Sequence, residues 1–260
     1  MNATPLASTI LSKPGLLRIP NAWDAASARR VVSAGAPLLA TTSAGVSWSL
    51  GLSDGEALTA TQIIQRAIEI RRVCPGTPLS VDIERGYSSS PGDVADLVDA
   101  LVVAGVSSIN IEDGHDTPAA FASKIAAIRS RHDRSSLFIN ARTDVYLFGL
   151  VASEGRPSEV ISRALTYTNA GCDGLFVPGA TDAGEIEAIA KSIAVPLNVR
   201  ALPGLPGVNE LERLGARRLT AGPGLAIAAY ARCEELAGEF MSGNSNGIWA
   251  ARVDFSTMNA

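Results

Sequence analysis

Two passages decide the fold: Val81-Asp82-Ile83-Glu84-Arg85-Gly86-Tyr87 and Ile109-Asn110-Ile111-Glu112-Asp113-Gly114. Each is an apolar, β-prone run that ends in carboxylates and then meets a glycine. The pattern predicts two neighbouring strands with several acids at their mouths. Mutual repulsion makes such a cluster costly unless a cation or a cationic substrate neutralises it. Oxygen-only donors at this density suit a hard divalent ion, Mg²⁺ ahead of Mn²⁺. Asp82 and Glu84, two apart, share one face of a strand. The competing reading is ordinary loop carboxylates paired with Arg85 or Arg142.

Outward from these passages, short apolar strands alternate with helical periodicity. Strands are predicted at Leu17–Trp23, Leu38–Thr42, Leu79–Glu84, Ser108–Glu112, Leu137–Arg142, Gly174–Val177, Leu197–Arg200 and Arg218–Thr220. Helices are predicted at Asp24–Ala34, Thr59–Val73, Pro91–Val103, Ala119–Arg131, Pro157–Ala170, Ala183–Ser192, Val208–Leu214 and Leu225–Phe240. Capping residues and glycine stops fall at their ends. Eight β-then-α units indicate an α/β fold, a single (β/α)₈ TIM-type barrel. A doubly wound open sheet is the runner-up. No Gly-x-Gly-x-x-Gly turn follows the first strand, and no phosphate-binding loop is present. Residues 1–241 read as the barrel. Ser242–Gly247 reads as a hinge before a tail in which Trp249, Val253 and Phe255 offer an apolar face.

The 260 residues are 47% hydrophobic, enough for a large core, and 22 basic against 26 acidic residues leave a net charge of −4. A chain without a basic stripe is a poor nucleic-acid partner. Charged or polar residues interrupt every apolar run before spanning length, so no membrane segment is expected. Met1-Asn2-Ala3-Thr4-Pro5 lacks the build of a signal peptide. The three cysteines, Cys74, Cys172 and Cys233, are far apart and imply neither disulfides nor zinc. A cytoplasmic location follows as an expectation.

Chemistry in a barrel sits at the C-terminal strand ends, where Asp24, Ser43, Arg142 and Asp144 also fall. An arginine there needs an anion, from a substrate or from Glu84 or Glu112. Thr41-Thr42-Ser43-Ala44-Gly45 offers small residues whose backbone N–H groups can cradle a carboxylate or phosphate oxygen. Asp54 is either a loop acid near the metal or a turn residue. His115, beside the acids, is a candidate base or only a hydrogen-bond partner. His132 reads as a surface residue. Asn198, Arg200 and Trp48 fit either substrate contact or packing.

These residues resemble the isocitrate lyase/phosphoenolpyruvate mutase superfamily. The carriers are Asn21-Ala22-Trp23-Asp24-Ala25-Ala26-Ser27-Ala28-Arg29, Thr42-Ser43-Ala44-Gly45, Gly51-Leu52-Ser53-Asp54, Asp82-Ile83-Glu84-Arg85-Gly86-Tyr87, Ile111-Glu112-Asp113 and Asn140-Ala141-Arg142-Thr143-Asp144. The resemblance covers roughly Pro20 to Gly224. It implies a barrel that is dimeric or tetrameric, its eighth helix exchanged between subunits. It also implies Mg²⁺ and a 2-oxo acid handled through an enolate. By the same resemblance Asp82 is the direct metal ligand, Glu84 and Glu112 hold metal-bound waters, and Asp54 is a further acid of that shell. Thr42, Ser43 and Ala44 bind the substrate carboxylate, with Trp23 and Asn198 nearby, and Arg142 binds the far anionic group.

Two departures narrow the chemistry. The lyase members carry a cysteine-containing loop after the fourth strand; this chain has Gly114-His115-Asp116-Thr117-Pro118. The mutases carry a lysine just after the Glu-Asp pair, where this chain has Gly114, and the nearest lysine is Lys124 in the next helix. The expected activity is therefore a Mg²⁺-dependent lyase that cleaves a C–C bond of a small 2-oxo or 2-hydroxy dicarboxylate. Oxaloacetate decarboxylation needs no general base. Retro-aldol cleavage needs one, from His115, Tyr87 or a metal-bound water. The alternatives are P–C bond chemistry on phosphonopyruvate, and a non-catalytic 2-oxo acid binder.

Overall fold

The computed structural model describes residues 9–10, 13–55, 57–250 and 255–259. The Met1–Pro5 stretch and Val253 of the tail lie outside them.

Nine strands form one sheet: β1 (Leu17–Ile19), β2 (Asn21–Ala22), β3 (Leu39–Thr41), β4 (Leu79–Asp82), β5 (Ser108–Glu112), β6 (Phe138–Arg142), β7 (Gly174–Phe176), β8 (Leu197–Arg200) and β9 (Ala216–Thr220). Their order is β1-β9-β8-β7-β6-β5-β4-β3-β2. The end strands β1 and β2 are consecutive pieces of one run, so the sheet closes into the expected barrel. β1 pairs in parallel with β9 and β2 with β3. The single first strand predicted at Leu17–Trp23 is thus divided. Pro20 stands between the pieces and has no N–H to give to a ladder.

Around the barrel lie α1 (Ala25–Ser33), α2 (Ser43–Ser49), α3 (Ala60–Val73), α4 (Pro91–Val103), α5 (Pro118–Arg131), α6 (Arg156–Ala170), α7 (Ala183–Ser192), α8 (Val208–Arg213) and α9 (Gly224–Met241). The short α10 (Asn246–Trp249) and α11 (Phe255–Asn259) follow. The caps read from the sequence are made. Asp24 accepts from the Ser27 N–H at 2.7 Å, and Thr117 and Ser90 cap helices that open on Pro118 and Pro91. Each such cap contributes about 1 kcal/mol.

Helix α2 was not predicted. Its sequence, Ser-Ala-Gly-Val-Ser-Trp-Ser, is weak in helix formers. Packing overrides propensity: a Cβ on Gly45 would meet Thr42 Cγ2 and Trp23 Cβ at 2.8 Å, so only glycine lets the helix settle on the barrel end.

Period-two alternation along the strands sorts the core. Outward residues such as Leu39, Val81, Ile83, Ile109, Ile111, Ile139 and Val199 are fully buried beneath Ile63, Val94, Phe121, Ile125, Val160 and Ile186 of the helices. Inward residues are largely polar: Ser80, Asp82, Asn110, Glu112, Asn140, Arg142, Asn198, Arg200, Arg218 and Thr220 line the barrel cavity. A second apolar cluster, Ile10, Ile19, Leu38, Ala40 and Phe138, is separate from the main core. Helix α9 is the longest of the set at 18 residues, yet Ala226 is its one buried residue.

Candidate active site

The cavity at the strand C-termini measures about 380 Å³, at the small end of ligand pockets. Strand β4 delivers Asp82 to it. The Asp82 carboxylate accepts three hydrogen bonds, from the Ser43 N–H at 3.2 Å, Asn110 Nδ2 at 3.1 Å and the Glu84 N–H at 3.3 Å. Its own N–H donates to Thr41 Oγ1 at 2.8 Å. The side chain is therefore fixed before any ligand arrives.

Glu84 lies beyond the strand, in a turn where it and Tyr87 both adopt positive φ, +49° and +55°. Two non-glycine residues in that region within one turn are a local cost, of the kind concentrated at functional sites. The turn brings the buried Glu84 carboxylate back to the cavity, where Tyr87 Oη donates to Glu84 Oε1 at 3.3 Å. Tyr87 itself does not line the cavity. Burial, then the charges of Glu84 and Asp82, push its phenol well above the ordinary range. That is unsuited to the base role entertained for it.

Glu112 on β5 faces Arg142 on β6, with Glu112 Oε2 2.5 Å from Arg142 Nη1. Arg142 Nε also donates to Asp144 Oδ1 at 2.7 Å. Burial pushes the Glu112 carboxyl up to about 9; Arg142 opposes the rise, while Asp82, Asp144 and Glu84 add to it. Burial works against the Arg142 charge, but Glu112, Asp144 and Asp82 outweigh it and hold the guanidinium protonated. Arg142 already carries two protein carboxylates.

Asp54 reaches the cavity rim from an exposed loop. Loss of solvent around its carboxyl, then the charge of Asp82, raise its pKa. Thr42, Ser43, Ala44 and Asn198 line the cavity as expected. Ser43 spends its N–H on Asp82 and Thr42 spends its own on the Ala22 carbonyl at 3.2 Å, so the cradle predicted at this turn retains the Ala44 N–H and, beside it, the Thr42 hydroxyl.

Besides Tyr87, three residues singled out in the sequence are placed elsewhere. Trp23 is outside the lining and packs against Tyr230 of α9, ring centroids 6.1 Å apart. His115 is exposed and stacks on Phe148 at 4.7 Å; only Phe148 lines the cavity. Asp113, part of the acid cluster in the sequence, faces away. It accepts from Tyr167 Oη at 2.6 Å, Arg163 Nη1 at 2.8 Å and the Asp144 N–H at 2.9 Å, behind the barrel wall.

Sequence reasoning missed the asparagine relay. Asn140 Nδ2 donates to Asn110 Oδ1 at 3.0 Å, and Asn110 passes the restraint to Asp82. Its signal was available: Ile109-Asn110-Ile111 and Ile139-Asn140-Ala141 each set a polar residue at an inward position of an apolar strand.

The donor set fits a hard cation. Asp54, Asp82, Glu84 and Glu112 are all oxygen donors in one cavity, and Asp144 Oδ2, on the residue that Arg142 also holds, is buried without a hydrogen-bond partner. Among the described residues no three His, Cys, Asp or Glu side chains converge closely enough to hold an ion directly. The arrangement suits an ion with few protein ligands that keeps its waters, the habit of Mg²⁺. Asp82 as a direct ligand, with Glu84 and Glu112 acting through water, would be compatible with this arrangement.

Comparison with known proteins agrees with this geometry. A family profile described as phosphoenolpyruvate phosphomutase matches residues 6–241. An uncharacterized protein of Mycobacterium tuberculosis is 39% identical over 226 residues, 82% of each chain. The oxaloacetate decarboxylase of Pseudomonas fluorescens is 32% identical over 197 residues, 69% of this chain and 64% of the decarboxylase. Among solved structures, a putative phosphonomutase from Burkholderia cenocepacia superposes with a TM-score of 0.83 at 34% identity, over 89% of this chain and 98% of the other.

Proposed function

Because the chain belongs to the phosphoenolpyruvate phosphomutase family, we propose that it is a lyase cleaving a C–C bond of a small 2-oxo or 2-hydroxy dicarboxylate, with oxaloacetate decarboxylation the simplest case. The observation that carries this reading is the makeup of the cavity wall. Among the described residues that line it there is no His, Cys, Lys or Tyr. The bases left to a reaction that must first remove a proton are the carboxylates of Asp54, Glu84 and Glu112, which the proposed metal site already employs. Decarboxylation needs none, because the bond to CO₂ breaks and leaves its electron pair on the substrate.

Asp82 would hold Mg²⁺, or Mn²⁺ in second place, with Glu84, Glu112 and Asp54 around it. When bound, the ion withdraws electrons from a chelated 2-oxo acid and offsets the negative charge that develops at the ketone oxygen. The chain's own residues do the rest. Ser43 and Asn110 hold Asp82 in place. Thr42 and Ala44 offer polar contacts for the carboxylate beside the ketone. Leu147, Phe148, Phe176 and Pro178 line the cavity with apolar surface that excludes water. Burial raises the Glu112 carboxyl while Arg142 opposes the rise, so Glu112 is the acid of the set whose proton a nearby positive charge would most readily displace.

P–C chemistry on phosphonopyruvate is the weaker reading. The mutases' lysine would stand at Gly114, whose φ is +53° and where a Cβ would fall 2.7 Å from Arg85 Cδ. Lys124 is buried against Asp116 and the Arg85 carbonyl, both at 2.9 Å. We read the protein as a cytoplasmic homo-oligomer, dimer or tetramer. Among the described residues no helix is long and apolar enough to cross a membrane.

The test is turnover of oxaloacetate, 2,3-dimethylmalate, methylisocitrate and phosphonopyruvate with and without Mg²⁺, products identified by mass spectrometry. Metal-dependent pyruvate release from oxaloacetate, or cleavage of another carbon acid, is the expected result. Cleavage of phosphonopyruvate alone would replace this reading with the P–C one. Tight metal-dependent binding without turnover would replace it with a binding role.

A further inference from the structure

The cavity carries opposite charge on opposite walls. Strands β4 and β5 bring acids, whereas β8 and β9 bring Arg200 and Arg218. Among the described residues neither arginine makes an ion pair with a carboxylate. Arg200 Nε and Arg218 Nε and Nη1 are buried without a hydrogen-bond partner. Charged groups taken from water are ordinarily paired, so two guanidiniums without an ion-pair partner at one cavity favour a bound anion. Arg142, the residue the family resemblance assigns to the far end of the substrate, is already held by Glu112 and Asp144.

Arg200 and Arg218 differ in depth. Arg218 is only 2% exposed and lies over the Phe138 ring at 5.6 Å, beside the second apolar cluster. Burial alone holds its guanidinium down, to about 10. Arg200 sits at the C-terminal end of β8 and keeps part of its surface open. Its stem lies across Gly222, where an added Cβ would stand 2.7 Å from Arg200 Cδ. Gly222 has φ +57° and donates its N–H to Asn21 Oδ1 at 2.9 Å. A tethered glycine thus leaves the channel in which Arg200 lies. Burial, then the like charge of Arg142, lower the Arg200 pKa against a smaller opposing effect of Asp144, so a bound anion relieves both costs.

We propose that Arg200 receives the second anionic group of the ligand, and thereby selects dicarboxylates over monocarboxylates. This rests on the proposed reading of the acid wall as the chelating end of the same site. A guanidinium meets a carboxylate with two parallel N–H bonds, so the gain is tied to the carboxylate and absent for a methyl group.

The test compares malate with 2-hydroxybutyrate, which share the chelating end and differ by a carboxylate in place of a methyl. Calorimetric affinities are measured with Mg²⁺ for the wild type, Arg200→Gln, Arg200→Lys and Arg218→Gln. The wild type is expected to prefer malate by roughly tenfold or more, the scale of a charge-assisted pair. In Arg200→Gln that preference collapses through weaker malate binding, and Arg200→Lys, which keeps the charge without the fork, falls between. Should Arg200→Gln fail to fold, as its thermal unfolding midpoint would show, the lysine variant alone decides. An unchanged preference in both Arg200 variants, an equal loss for both acids, or a collapse confined to Arg218→Gln would overturn the assignment. A wild type that binds both acids without preference would overturn it too and leave the chelating site standing. A wild type that binds neither would overturn the site reading together with it.

Discussion

Glu112 and Arg142 occupy directly paired positions on β5 and β6, and their side chains meet at 2.5 Å inside the cavity. The pair is the electrostatic hinge of the site. It neutralises one acid of a crowded set, yet burial and three neighbouring carboxylates still push the Glu112 carboxyl up to about 9.

That shift predicts a pH dependence. An unfolded glutamate titrates near about 4.3. Between there and about 9 the metal-free native state holds a proton that the unfolded chain has lost, so stability falls as pH rises through this window. The thermal midpoint in chelator is expected to drop from pH 5 to pH 9, by at most a few kcal/mol in stability, and Glu112→Gln is expected to flatten the profile. Mg²⁺ binding at pH 7.5 should release a proton, seen as a buffer-dependent heat. An upward slope, or no difference in the variant, would contradict the assignment.

Asp82→Asn is expected to lower metal-dependent kcat/KM by at least about a hundredfold, because it removes the charge that a cation-dependent step needs. The amide keeps an oxygen for Asn110 and the Glu84 N–H but sets an NH₂ against the Ser43 N–H that Oδ2 accepted, so a stability loss of about 1 kcal/mol is expected beside the loss of activity. Full activity in this variant would remove the proposed metal site.

Asp113 separates fold from function. Its carboxylate is fully buried and answers Arg163, Tyr167 and the Asp144 N–H. Asp113→Ala leaves Arg163 with Glu159 alone and strands the buried Tyr167 hydroxyl and the Asp144 N–H, and the expected loss of stability is about 3–5 kcal/mol by denaturant unfolding. KM of the protein that remains folded should shift by less than about threefold. A large KM change with unaltered stability would place Asp113 at the substrate instead.

The difference between Asp113 and its neighbour Glu112 shows where sequence reading stops. Alternation puts consecutive strand residues on opposite faces, so one of the two had to turn outward. The sequence presented them as one acid cluster because the partners of Asp113, Arg163 and Tyr167, lie a helix and a half away along the chain. The barrel and its ends were legible because buried strands and capped helices leave periodic, local signals. Pro20 dividing the first strand, and α2 forming from Ser43 against its own propensity, were set by tertiary packing. The same holds for His115: its place beside the acids in sequence becomes an outward stack on Phe148 once Gly114 turns the chain.

Gly114→Lys tests the disfavoured P–C reading directly. The backbone there is left-handed and a side chain collides with the Arg85 stem. The variant is expected to lose about 1–3 kcal/mol of stability and to gain no activity on phosphonopyruvate. Appearance of that activity would show that the loop accommodates the residue.

The eighth helix supplies the last prediction. α9 exposes Leu225, Ile227, Tyr230 and Phe240, and Trp249 of α10 is 81% exposed. A helix that buries one alanine of eighteen residues gains almost nothing from its own barrel. An apolar surface of this kind marks an interface. A second copy of the chain is the occupant we propose, in keeping with the exchanged eighth helix that the family resemblance implies. Sedimentation should give a dimer or tetramer, and Ile227→Asp, at a residue that is half exposed in one chain, should shift the population toward monomer and lower the thermal midpoint. A monomeric wild type, or an Ile227→Asp protein with unchanged mass and stability, would mean that α9 faces solvent.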